Sequence, residues 1–135
     1  MSEKKPIVRV RDVMKTGFST IDGIATVSEA LKKMKSGKTS VLVVNKRHDD
    51  DEYGLITAGD IARHVLAKDR APDRVNVYEI MSKPVISVHP DMDIRYCSRL
   101  FADYDLVRAP VLNGREIVGT VSPNALVLDG LYKVC

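Results

Sequence analysis

Between residues 27 and 34 the apolar side chains of Val27, Ala30, Leu31 and Met34 fall at i, i+3, i+4 and i+7. That spacing lines one face of an α-helix. Lys32, Lys33 and Lys35 fill intervening positions and face water. Thr26 and Glu29 stand three apart at its start, the spacing of a capping box in which each side chain accepts from the other residue's backbone N–H. The pattern returns after Asp93, with Ile94, Cys97 and Phe101 at i, i+3 and i+7 and Arg95 and Arg99 between them. Short apolar runs flank each helix. Phe18–Ile21 and Val85–Val88 precede the helices, Val41–Val44 and Val111–Leu112 follow, and Tyr53–Ile56 and Ile117–Val121 come last. Their length and β-branched content predict strands. KRHDDDE separates the last two strands in one case and NGRE in the other, where Asn113-Gly114 favours a tight hairpin turn. A closing helix is predicted from Thr57 and again from Ser122, with Pro123 at the first helical position.

The chain therefore states one pattern twice. Each copy opens with a helical lead-in ending at a methionine, VRDVM or VYEIM, and both carry a glycine in the last strand. Met14 answers to Met81, Asn45 to Asn113 and Gly54 to Gly119, at offsets of 67, 68 and 65 residues. A repeat of this kind sets the architecture before any local reading does. The expected fold is α+β: two β-α-β-β-α repeats packed about a pseudo-twofold axis, with small mixed sheets covered by helices. Residues 8–67 form the first repeat, 68–76 a linker without an apolar pattern, and 77–131 the second. A half of about 60 residues is marginal for an independent core, so one core shared by both is expected. Packing two copies creates clefts, and clefts are common ligand sites.

Composition narrows the function. With 135 residues and a formal net charge of +3, the chain lacks the concentrated basic stripe of a nucleic-acid binder. No apolar run approaches a membrane span, and MSEKKPIVRV lacks the apolar centre of a secretory signal. Two cysteines make no disulfide framework. Cys97 falls on the core face of its helix and Cys135 at the frayed end, which points to a reduced, cytoplasmic protein.

The ordered set of VRDVM, capped helix, apolar strand and GLITAGDI, repeated once, resembles a tandem pair of CBS (cystathionine-β-synthase) domains, a Bateman module. The likeness covers roughly residues 8–130 and rests on the ordered set, since GxxTxxD alone is a weak motif. The resemblance implies a pseudo-twofold disc whose clefts bind adenosine derivatives: AMP, ADP, ATP or S-adenosylmethionine. It also implies dimerisation, regulation of a separate effector protein, no catalytic residues and no required cofactor. It further implies that backbone near Met14 and Thr16, with Ser19, Lys38, Thr39 and Ser40, meets the adenine edge while Leu55 packs on the ring. Arg108 then reaches across the pseudo-axis to the phosphates, where a guanidinium suits bidentate contact.

The residues of the first copy carry their own argument. Thr57 offers a hydroxyl at a helix start, where unpaired N–H groups favour an anion. Asp60 lies one turn on and can accept from both hydroxyls of a ribose. The same T-x-x-D spacing also serves as a cap that needs no ligand. In the second copy Ser122 keeps the hydroxyl but Ala125 replaces the carboxylate, so Ser122 marks a weaker second site. HDDDE at 48–52 reads as a solvated loop, and no histidine stands at metal-ligand spacing. His64, four residues after Asp60, lacks the nucleophile and orienting group that catalysis needs. Two functions follow. One is a regulatory module sensing an adenine nucleotide and signalling in trans. The other is a scaffold whose closing helices, Ile61–Leu66 and Leu126–Leu131, dimerise over unused clefts.

Overall fold

The computed structural model describes residues 6–83 and 86–134. Its elements in chain order are α1 (Val10–Val13), β1 (Thr20–Ile21), α2 (Val27–Gly37), β2 (Val41–Val44), β3 (Gly54–Thr57) and α3 (Ala58–Ile61). A π-helical stretch, Ala62–Leu66, continues α3, and a 3-10 turn, Pro72–Arg74, leads to α4 (Val77–Ile80). Then come α5 (Ile94–Tyr104), β4 (Ala109–Asn113), β5 (Glu116–Val121), a second π-helical stretch, Ala125–Leu131, and α6 (Tyr132–Val134). The expected strand at Val85–Val88 falls partly outside the described residues; within them, Val88 makes one parallel bridge to Val111. No helix among the described residues is long and apolar enough to cross a membrane. Residues 1–5 and Cys135, on which the reading of the termini rested, lie outside the described residues.

The chain forms two compact units, and they do not coincide with the two copies. One unit spans Phe18–Val85; the other joins Met1–Gly17 to Ile86–Cys135. The lead-ins are exchanged, so α4 packs with the first copy and α1 with the second. This corrects the expectation of one shared core. Each unit buries its own cluster, and the borrowed lead-in supplies what 60 residues lack.

In the Phe18–Val85 unit, β1 runs parallel to β2 and β2 antiparallel to β3, with Leu42 opposite Ile56 and Val41 opposite Thr57. Leu42, Val44 and Ile56 meet Val27, Ala30 and Met34 of α2 in the core. Val75, Val77 and Ile80 complete it, so the end of the expected linker is core. Leu31, assigned to the core face from its spacing, is 37% exposed. The Thr26–Glu29 capping box forms as read, with Thr26 Oγ1 accepting from the Glu29 N–H at 3.2 Å. Met81 explains Gly54. A Cβ there would stand 2.9 Å from Met81 Sδ and 3.2 Å from the Ser82 carbonyl. That close approach lets Leu55 and Ser82 exchange N–H···O bonds of 3.1 and 2.8 Å.

The other unit repeats the scheme. Val8, Val10 and Val13 join Ile94, Cys97, Phe101, Ala109, Val111, Val121 and Leu126 in its core. Lys15 and Thr120 exchange backbone bonds of 2.8 and 3.0 Å beside Gly119, whose absent Cβ leaves room for Met14. Gly114, at φ 66°, opens a two-residue turn between Asn113 and Glu116, as a II′ hairpin requires. Backbone bonding also corrects one pairing. The Asn45 N–H donates to the Ile21 carbonyl and the Leu112 N–H to the Val88 carbonyl, so Asn45 answers to Leu112 rather than Asn113. A bulge in the β4–β5 ladder at Val111/Leu112 absorbs the difference.

Two consequences are measurable. Thr120 is 1% exposed and its hydroxyl has no hydrogen-bond partner among the described residues, whereas its counterpart in the first copy is Leu55. Thr120→Val keeps the shape and removes the orphaned group, so it is expected to stabilise the protein by about 1 kcal/mol, read from the denaturant midpoint. Asp93 caps α5, and hydrogen bonds from the Arg95 side chain and backbone lower its pKa from 3.8 to about 2. A carboxyl held low in the folded state stabilises above its unfolded pKa and loses that contribution as pH falls through its folded one. The advantage of wild type over Asp93→Asn is therefore expected to be full above pH 4 and gone once the pH has fallen below about 2, followed by urea midpoints across that range.

Candidate functional site

At the end of β3 the chain turns into α3, and Thr57 and Asp60 lock the turn. Thr57 Oγ1 accepts from the Asp60 N–H at 3.1 Å, and Asp60 Oδ2 accepts from the Thr57 N–H at 2.9 Å. The capping alternative read from T-x-x-D is thus realised. Asp60 is only 6% exposed. Its other oxygen, Oδ1, accepts from Arg63 Nη2 at 2.8 Å. A carboxylate offers about four acceptor positions, so these two bonds leave capacity for a ligand's hydroxyls.

Ser40 meets this turn, and other expected residues lie along the strands and helix end of the same unit. The Ala58 N–H donates to the Ser40 carbonyl at 2.9 Å, tying the helix start to the start of β2. Thr39 Oγ1 donates to the Val41 carbonyl at 3.2 Å, and the Ser19 carbonyl accepts from the Val43 N–H at 3.0 Å. A Cβ on Gly37 would stand 3.6 Å from both Ser19 Oγ and Thr39 Cγ2. Lys38 ends α2 in the left-handed region, at φ 51°. Leu55 is buried and pairs with Val43, on the sheet face that alternates away from Leu42, Val44 and Ile56. Ser19, Lys38, Thr39, Ser40, Leu55, Thr57 and Asp60 therefore belong to one unit.

Met14, Thr16, Arg108 and Ser122 belong to the other unit. The strap after Met14 lies along Thr120 of the second copy, while the strap beside Leu55 is Ser82. Arg108 is half-buried and makes no ion pair among the described residues, with the nearby Asp103 and Asp105 or with any other carboxylate. Ser122 Oγ accepts a long bond, 3.4 Å, from the Ala125 N–H. With no carboxylate at Ala125, that turn lacks the reciprocal half of its box.

Arg63 was missed in the sequence. It stands three residues after Asp60, a spacing that brings helix side chains together, and Arg63 rather than His64 makes the ion pair with Asp60. The acidic loop is solvated as read at His48, Asp49, Asp50 and Glu52, and Asp51 alone is drawn into contacts. Asp51 bonds the Lys83 ammonium and accepts from the Arg47 N–H at 2.9 Å, which holds its carboxyl well below the usual range. No cluster among the described residues could hold a metal ion. Cys97 is buried in its core as expected, and burial pushes its thiol up to about 11.

A protein-family model for the CBS domain matches residues 10–67 and again 77–128. The protein MK0525 of Methanopyrus kandleri is 33% identical over 129 residues, which cover 94% of this chain and 65% of that protein. This chain thus spans less than two thirds of that relative. Among solved structures, the hexameric CBS-CP12 protein from bloom-forming cyanobacteria matches with a TM-score of 0.90 at 36% identity, over 94% of this chain and 73% of that one. The CBS domain pair of protein MJ0100, in complex with 5′-methylthioadenosine and S-adenosyl-L-methionine, matches with a TM-score of 0.81 at 26% identity, over 95% and 99%.

Proposed function

Because the chain belongs to the CBS domain family, matched once in each copy, we propose that it is a regulatory module that binds an adenosine-containing ligand through its first copy and signals in trans. Asp60 carries this reading. It is a buried carboxylate, anchored at both oxygens, with acceptor positions to spare, and the second copy has alanine in its place. In this reading Asp60 holds the ribose and Thr57 the phosphate side. Ser19, Lys38, Thr39, Ser40 and Leu55, in the same unit as Asp60, meet the adenine, and Ser122 of the other unit marks a weaker second site. The ligand is AMP, ADP or ATP, no catalytic step or cofactor is involved, and the protein works in the cytoplasm. The ligand regulates only through arrangements it binds with different affinity.

Support comes from the MJ0100 domain pair, whose structure holds two adenosine compounds. Self-association as a homodimer fits the exposed Val127, Leu128 and Leu131 on the closing helix, and the cyanobacterial neighbour is hexameric. That apolar face equally favours the second reading, a scaffold with unused clefts.

A thermal-shift panel of AMP, ADP, ATP, S-adenosylmethionine and NAD separates the two. At a hundredfold excess over Kd a ligand stabilises the folded state by about 2.7 kcal/mol, a readable shift. At least one adenine nucleotide is expected to give it; a flat panel would favour the scaffold.

A further inference from the structure

Arg63 spends one of its five N–H groups on Asp60, through Nη2. Its other donors find no protein partner among the described residues, and the side chain is 66% exposed. Its second terminal nitrogen has a definite place. Nη1 lies 3.3 Å, and Thr57 Oγ1 3.5 Å, from where a Cβ on Gly59 would stand. The guanidinium edge and the hydroxyl therefore border the same space, kept open because residue 59 has no side chain. Thr57 Oγ1 accepts from the Asp60 N–H, so its own proton remains free to donate. Two donors, one of them charged, converge on a space beside a carboxylate that is already satisfied in part. An anionic group with several oxygens fits that space, and a cation does not.

The second copy makes the same point by subtraction. Counting from Ser122 as from Thr57, Ala125 takes the place of Asp60 and Leu128 that of Arg63. The hydroxyl stays while the carboxylate and the guanidinium leave together, and Leu128 is exposed at 65% where the first copy has its cation. An arginine kept only for solubility has no reason to leave with Asp60.

We infer that Arg63 sets the charge class of the ligand: its free guanidinium edge and the Thr57 hydroxyl hold a phosphate, selecting phosphorylated adenosine over neutral adenosine and over the sulfonium of S-adenosylmethionine. This rests on the reading that Asp60 belongs to an adenosine site. Nη2 keeps the Asp60 carboxylate aligned while Nη1 faces the anion, so one side chain serves sugar and phosphate without exchanging partners. A guanidinium suits both tasks because its donors lie in one rigid plane.

Calorimetric titration of adenosine, AMP and S-adenosylmethionine into wild type, Arg63→Gln, Arg63→Lys and Asp60→Ala tests it. Wild type is expected to bind AMP at least about tenfold tighter than adenosine, the scale of one charge-assisted hydrogen bond. In Arg63→Gln that ratio is expected to fall to within about threefold, and Arg63→Lys to recover part of it, with added salt narrowing the wild-type ratio. An unchanged ratio in Arg63→Gln, or equal losses for adenosine and AMP, would overturn the inference and leave the site intact, because Arg63 would then only tether Asp60. A wild type that prefers adenosine or S-adenosylmethionine would overturn it too. If no adenosine compound binds, or Asp60→Ala binds all three as wild type does, the site reading itself fails and takes the inference with it.

Discussion

Asp60→Ala is expected to weaken binding of an adenosine-containing ligand by about ten- to a hundredfold or more. A hydrogen bond to a charged group contributes about 1.5–3 kcal/mol, and each 1.4 kcal/mol is a factor of ten. The substitution also opens the Thr57 cap, since Asp60 Oδ2 holds the Thr57 N–H and Oδ1 holds Arg63. A stability loss of about 1 kcal/mol should accompany it. Calorimetry and a denaturant midpoint on the same variant separate the effects. Ala125 shows that the closing turn of a copy forms without the carboxylate, so a folded variant is expected.

The second large effect concerns the exchanged lead-ins. Ile80 lies in the second copy by sequence, yet its side chain is buried with Leu42, Ile56 and Val65 of the first. Ile80→Ala is expected to cost about 2–5 kcal/mol, the range for truncating a buried isoleucine. Amide hydrogen exchange shows where the loss falls. Protection should drop in β2 and β3, at residues 41–44 and 54–57, before it drops in β4 and β5. The reverse order would mean that α4 supports its own copy and that the exchange is wrong.

Much of the fold was legible because its signals are local. Thr26 with Glu29, and Asp93, announce their helices by side chains that reach only one turn, and the Asn113-Gly114 hairpin needs only a glycine free to take a positive φ. The duplication was legible for a different reason, since it compares the chain with itself. What escaped was non-local. VRDV and VYEI each show two apolar residues one turn apart, but nothing in four residues says which sheet they will cover. The close approaches of Met81 to Gly54 and Met14 to Gly119 record the answer only once the backbone is in place. The one-residue slip from Asn113 to Leu112 was hidden by a bulge, which no periodicity reveals.

The site was legible to a similar depth. Thr57 and Asp60 stood out by spacing; the capping reading is realised, and Asp60 keeps acceptor positions beyond those the cap uses. Arg63 was available from the same spacing, but His64 at i+4 competed for attention, and only the fold shows which side chain reaches Asp60. Met14 and Thr16 were assigned from resemblance, with no local signal to place them. Their strap runs beside Thr120, because the lead-in left its own copy.

Calorimetric stoichiometry tests the central claim most directly: the first copy alone keeps a working carboxylate. Titrating AMP into the full chain is expected to give one site per chain, lost or weakened at least tenfold in Asp60→Ala. Two equal sites per chain, or a single site indifferent to Asp60→Ala, would contradict it.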